Sequence, residues 1–232
     1  MRFCRCEMLI GADALENLKN SSVAVFGVGG VGGYVVEALT RSGVGRIAII
    51  DKDVVDESNI NRQIVALTST IGKNKVDVMK QRMLDINPDV KVEAHCEFYL
   101  PDNADFIELG SFDYVVDAID NVTAKIELIK RCKQADVPII SAMGAGNKLD
   151  PTRIEIADIS KTSVCPLAKV IRRKLADLGI EGVTVAYTRE IPANASGGRT
   201  PASMMPVPAA MGLTMASKVL RDLSGMRIKS KS

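Results

Sequence analysis

With 232 residues, 47% of them apolar, the chain is long enough and apolar enough to bury a sizeable core, as one domain with an appended region. It has no run of about 18 uninterrupted apolar residues, the length a membrane span needs. The nearest approach, 207–219, is broken by Pro208 and Lys218 and reads as a packed amphipathic helix, not an anchor. Net charge is only +2 but unevenly placed: residues 160–232 hold 12 Lys/Arg against 4 Asp/Glu, and the rest of the chain is acidic. A basic part of this kind suits a phosphate backbone, as it suits an ordinary solvated surface.

Residues 1–20 read as an amphipathic helical arm, with Met8, Leu9, Leu15 and Leu18 available for burial. Glu7 follows soon after Arg2 and Arg5, and the apolar region of a secretory leader is missing, so a cytoplasmic protein is expected. The run 23–26, Val-Ala-Val-Phe, has the character of a strand buried on both faces. Gly27, Gly29 and Gly32 then spell G-x-G-x-x-G, with Gly30 and Gly33 beside them, ahead of a helical pattern through Val35, Val36, Ala38 and Leu39. A second strand, 46–50, ends on Asp51. Strand, glycine turn, helix, strand and acid form the dinucleotide-binding βαβ arrangement: the glycines allow a tight turn, close backbone approach to phosphate and helix packing, and the acid can bond ribose hydroxyls. The same pocket can hold NAD, FAD, S-adenosylmethionine or ATP. The stretch 58–63 favours ATP, because Asn59, Arg62 and Gln63 put amides and a guanidinium on the pocket's open side, where a polyphosphate needs them.

Beyond a short helix within 54–70, a second helix is expected over 75–86, ending before Asn87-Pro88. Lys75 opens it, and an ammonium at a helix N-terminus is disfavoured unless an anion sits nearby; a phosphate would supply one. Residues 90–95 alternate as a third strand ending at His95, the single histidine, for which a structural role is expected. A fourth strand over 112–117 should place Asp117 and Asp120 at the rim of the cleft where open parallel sheets bind ligands. Asp120 and Asn121 are also candidates to cap the helix expected over 122–135. A fifth strand over 137–142 leads to the turn Gly144-Ala145-Gly146. The appended region then holds strands over 154–157 and 183–187 and a helix over 166–178 bearing Lys169, Arg172, Arg173 and Lys174. It continues with a Pro/Gly/Ser-rich crossover loop over 189–206, a helix over 209–223, and a basic tail with Arg227, Lys229 and Lys231. Cys165, just before Pro166 at a helix start, has three candidate roles: packing, the substrate pocket, or a covalent step. The expected fold is a Rossmann-like, doubly wound α/β sheet, mainly parallel. Residues 1–159 form the nucleotide-binding part, and 160–232 the basic part that completes the same fold.

Taken together, Asp51-x-Asp53, Ser58-Asn59-x-x-Arg62-Gln63, Gly72-x-x-Lys75 and Asp117-x-x-Asp120-Asn121 resemble the signature of the adenylating enzymes typified by MoeB, ThiF and the ubiquitin-activating enzymes. Within that superfamily RFCRCEMLIG at the start, DNVTAK at 120–125, SAMGAGNKLDPTR at 141–153 and KTSVCPLAKVIRR at 161–173 resemble the tRNA threonylcarbamoyladenosine dehydratases, and the likeness covers nearly the whole chain. The resemblance implies ATP as cofactor and adenylation of a carboxylate. Arg62 and Lys75 would act on the phosphates and Asp120 as the magnesium-associated carboxylate, with Arg5 reaching the phosphates of a second copy across a homodimer interface. It also implies tRNA as partner, cyclisation of the threonylcarbamoyl group, and a cysteine desulfurase system that some relatives use. The five cysteines (4, 6, 96, 132 and 165) form no C-x-x-C pair, so the four-cysteine zinc site usual in MoeB and ThiF relatives is not expected. Two other readings remain: an activator of a ubiquitin-like sulfur carrier's C-terminus, and an NAD-binding oxidoreductase or nucleotide sensor.

Overall fold

The computed structural model describes residues 2–193 and 201–226. Two helices open the chain, α1 (Cys4–Ile10) and α2 (Ala12–Asn20), separated at Gly11, whose φ of 87° ends the first. The expected single arm is therefore broken in two. Leu15 and Leu18 are buried as expected, but Met8 and Leu9 are 86% and 84% exposed, because α1 lies on the surface and buries none of its residues.

The alternation of β1 (Ser22–Phe26), α3 (Gly32–Arg41), β2 (Arg46–Ile50), α4 (Lys75–Ile86), β3 (Lys91–His95), β4 (Tyr114–Asp117), α5 (Val122–Gln134) and β5 (Ile139–Ala142) builds a parallel sheet. Then come β6 (Ile154–Asp158), α6 (Pro166–Asp177), β7 (Thr184–Thr188) and α7 (Pro206–Ser224). Among the described residues the sheet has seven strands in the order β3-β2-β1-β4-β5-β7-β6, and only β6 runs antiparallel. The appended strands thus extend the same sheet. Between β2 and α4 the expected short helix is a pair of 3-10 turns, Glu57–Asn59 and Thr68–Thr70.

Continuous apolar strands make a core on each face, because successive side chains point to opposite sides. Val23, Val25, Ile47, Ile49 and Val116 face α2, α3, α4 and α7; Ala24, Phe26, Ala48, Ile50 and Val115 face α5 and α6. Helix α7 comes close to the start of α3 at Gly212, where a Cβ would stand 2.3 Å from the Val31 carbonyl oxygen. Among the described residues no helix is long and apolar enough to cross a membrane.

Helices α3 and α4 are joined by one acid. Glu37, buried, takes Arg41 Nε at 2.6 Å and Arg82 Nε at 2.7 Å. Burial pushes its carboxyl pKa up, but the two guanidiniums outweigh this and hold it below the ordinary value. Since the folded pKa is the lower one, this stabilisation is present above the unfolded value and lost as pH falls through the folded one. Glu37→Gln should therefore destabilise the protein at neutral pH by about 1–3 kcal/mol. In denaturant melts the gap should narrow once pH drops below about 4.3.

Candidate active site

Parallel strands β1, β2, β4 and β5 all end at one edge, and the strand order reverses between β1 and β4, where such sheets hold ligands. The chain leaves β1 through Gly27 at φ 90°, with its N–H donating to Ile50 O at 2.7 Å. A Cβ there would meet the Ala118 carbonyl oxygen at 2.6 Å, and one on Gly32 would stand 1.8 Å from the Gly27 oxygen. Both positions exclude every side chain, so the loop presses against the end of β4 and leads directly into α3.

Asp51, at the tip of β2, accepts from Val28 N–H at 2.7 Å and from Asp53 N–H at 2.9 Å. It steadies the glycine loop and still has lone pairs for a ribose. Gln63 and Arg62 close the outer side: a Cβ on Gly29 would be 3.9 Å from Gln63 Nε2, and one on Gly30 would be 3.5 Å from Arg62 Cγ. Gln63 is buried, and its Oε1 has no partner among the described residues. Arg62 donates from Nη1 to Ser58 O at 2.8 Å and to Asn61 Oδ1 at 2.9 Å. Asn59 is buried and occupied locally, its Oδ1 accepting from Asp56 N–H at 3.2 Å in the cap of a 3-10 turn.

Lys75 opens α4 as expected and does have an anion beside it, but that anion is a side chain. Its Nζ lies 3.1 Å from Asp53 Oδ2, and its N–H donates to Asp53 O at 3.0 Å. Burial raises the Asp53 pKa, yet the hydrogen bond and charge of Lys75, with Lys52, outweigh it and leave the carboxyl below its usual range. An ammonium has three donors, so Lys75 can hold Asp53 and still turn others to a phosphate.

The β4 end departs from expectation in one respect. Asp117 is fully buried, not at the rim, because it pairs with the equally buried Lys125 at 2.8 Å. Asp120 is exposed at the edge and makes no hydrogen bond or ion pair among the described residues. Asn121 caps α5, its Oδ1 accepting from Ala124 N–H at 3.0 Å. Arg5 is exposed and lies apart from this group: α1 and the residues just before it are tied to the far ends of α3 and α4, through Cys6 Sγ to Arg41 O and Arg2 Nη1 to Ile86 O. The length of α3, about 15 Å at 1.5 Å per residue, separates that anchorage from the glycine loop.

Two anchors escaped the motif reading. Asn147, at φ 57°, donates its N–H to Ala202 O and accepts from Ala202 N–H at its Oδ1 and from Ala193 N–H at its own carbonyl. It thereby ties both ends of the crossover loop to the β5 turn. Asn61 Nδ2 donates to Ser203 O at 2.8 Å and carries this tie to the Arg62 side. The middle of the loop, 194–200, and the basic tail with Arg227, Lys229 and Lys231 lie outside the described residues. Cys165 is buried at the N-cap of α6, its Sγ 3.5 Å from where a Gly144 Cβ would be. The His95 ring is tilted against Phe106, with centroids 5.6 Å apart.

The ThiF family profile matches residues 3–232 of this chain. The chain belongs to the ThiF family. The tRNA threonylcarbamoyladenosine dehydratase of Bacillus subtilis is 48% identical to it over 252 aligned residues, covering 99% of both chains. The crystal structure of the Escherichia coli tRNA N6-threonylcarbamoyladenosine dehydratase in complex with ATP superimposes with a TM-score of 0.91 at 35% identity, over 97% of this chain and 94% of that one. The sulfur carrier protein adenylyltransferase of Thermus thermophilus is 40% identical over 112 residues, 48% of this chain and 41% of that protein.

Because a Cβ on Gly32 has nowhere to go, Gly32→Ala should abolish measurable ATP binding by titration calorimetry and lower the melting midpoint. Retention of ordinary ATP affinity would show that the nucleotide does not use this loop.

Proposed function

We propose that this chain catalyses the ATP-dependent dehydration of N6-threonylcarbamoyladenosine in tRNA through an acyl-adenylate. The observation that carries the reading is the convergence of the glycine loop, Asp51, Arg62 and Lys75 at one edge of the sheet, in a chain 48% identical over its length to a dehydratase of that name. The threonine carboxylate attacks the α-phosphorus of ATP and displaces pyrophosphate, forming a mixed anhydride with AMP. A nitrogen or oxygen of the carbamoyl arm then attacks the activated carbonyl, AMP leaves with the bonding pair, and a ring closes.

In this scheme backbone N–H groups of the glycine loop and the α3 N-terminus hold phosphate oxygens, and Asp51 holds the ribose. Asn59 and Asn121, held by their local bonds, and Gln63, with its side-chain oxygen unpartnered among the described residues, line the pocket. Arg62 and Lys75 balance the charge that develops as pyrophosphate departs, which is electrostatic stabilisation combined with positioning. The donor chemistry at Asp120 suits magnesium: an exposed carboxylate with no other bond among the described residues offers one hard oxygen, and ATP phosphates and water would supply the others. When bound, magnesium would neutralise phosphate charge.

Arg5 reaches a nucleotide only in trans, so this reading includes a homodimer, in keeping with the exposed Met8 and Leu9 beside Arg5. The basic face of α6 would meet the tRNA backbone with Lys169, Arg173 and Lys174. Arg172 is spoken for by the Thr162 carbonyl and hydroxyl, at 2.9 and 2.7 Å. A cytoplasmic protein is part of this reading, in keeping with a tRNA substrate.

The test is release of AMP and pyrophosphate from ATP, with tRNA bearing the threonylcarbamoyl group and with tRNA lacking it. Release is expected only with the modified tRNA, and Lys75→Ala should slow it by about 10²-fold or more. Release that ignores tRNA and responds to the C-terminus of a ubiquitin-like carrier would establish the sulfur-carrier reading instead.

A further inference from the structure

Lys125 is a fully buried lysine to which the proposed scheme gives no direct contact with ATP or the reacting groups. It falls on the apolar stripe of α5, among Ala124, Leu128, Ile129 and Cys132, where a methionine would pack without bringing a charge into the core. A buried ion pair is weak evidence for stability, since desolvation offsets much of the attraction; its better-attested use is to fix one geometry over others. The geometry here is a closed ring. Lys125 Nζ donates to Asp117 Oδ2 at 2.8 Å, to Ser141 Oγ at 3.2 Å and to Ala142 O at 2.9 Å. Ser141 Oγ in turn donates to Asp117 Oδ2 at 2.5 Å, and the second carboxylate oxygen, Oδ1, accepts from Ile119 N–H at 3.1 Å. Every donor of the ammonium is used, and one side chain joins the end of β4 to the end of β5.

The joined strand ends carry the site. Ala118 is the residue against which Gly27 and Gly32 pack, and Asp120 follows two residues later. Asn121 is fixed at the other side by its cap on α5. The wall 118–121 is thus pinned at both ends, by the ring and by the cap, and Asp120 is carried between them.

We infer that Lys125 is a positioning residue for adenylation: its ammonium, through Asp117, sets the wall that aims Asp120 at the phosphates. This rests on the proposed adenylating role of the site. ATP is expected to stay bound without the ring, because Gly27 and Val28 also keep their bonds to Ile50 O and Asp51. Losing the ring therefore affects the chemical step more than ground-state binding.

The discriminating variant is Asp117→Asn combined with Lys125→Met, which removes both charges and leaves none buried alone. Expected are a cooperative melt, an ATP dissociation constant close to that of the unaltered protein by calorimetry, and a kcat for AMP release lowered by about 10²-fold. An unchanged kcat in a variant that melts cooperatively overturns the inference and leaves the ring as core packing. Should that variant not fold, Ser141→Ala decides, because it removes one hydroxyl and keeps both charges. A reduced kcat at unchanged ATP affinity supports the inference, and an unchanged kcat overturns it. Lys75→Ala is measured alongside: ordinary turnover there would fault the reading of the site and not the role of Lys125.

Discussion

Gly27 leaves β1 with φ near 90° and lies flat against the Ala118 carbonyl, where any Cβ would come within 2.6 Å of oxygen. That contact brings the exits of β1 and β4 together, and the other parts of the site take their places from it. The Val28 amide is turned toward Asp51, and Gly32 is tucked under Gly27 so that α3 can begin at once. On the opposite side Asp117 is drawn inward to Lys125 while Asp120 is left in solvent. Backbone packing fixes the glycine-loop end of the cleft, and buried charge fixes its wall.

The charges at this edge are arranged to be held rather than neutralised. Lys75 and Asp53 form one pair at the mouth of the cleft; Lys125 and Asp117 form another inside. The first has an exposed carboxylate and an ammonium with donors to spare, so an incoming polyanion can share the lysine without breaking the helix start. The second is closed on itself and sealed from water. A pair with one exposed partner and a fully buried pair of the same two residue types thus serve different ends, one receptive and one rigid, because screening and desolvation act on them differently.

Much of this is readable from the sequence where a residue type has a single physical use. A glycine triplet after an apolar strand, an acid at the next strand tip and a helix ended by Asn87-Pro88 locate β1, β2 and α4 to within a residue. Asp117 is harder. An acid at a strand end reads as a rim ligand, and its true partner is eight residues away; the available signal is a lysine at 125 on the apolar stripe of α5, where an uncompensated charge cannot stay. Asn147 gives no signal, because its three bonds reach residues 46 and 55 positions distant and depend on tertiary proximity alone. The broken arm is legible only through Gly11, whose positive φ becomes decisive once Leu15 and Leu18 are buried and Met8 and Leu9 are not. For Arg5, the family resemblance alone singles out the residue, while the anchorage of the N-terminal segment at the far end of α3 holds it away from the glycine loop of its own chain.

The position of β6 bears on how the chain is made. β6 touches the sheet only through β7, which is inserted between it and β5 but is synthesised about 30 residues later, as expected for a non-local pairing that must wait for its partner. While the chain is emerging, β5 presents an open edge and β6 has nothing to pair with, a condition that invites pairing with foreign strands. Once β7 arrives it satisfies both neighbours in one event, and the antiparallel β6 then forms the outer border. The glycine loop, made before β7, therefore sits in a sheet whose far border is completed only once β7 has been synthesised.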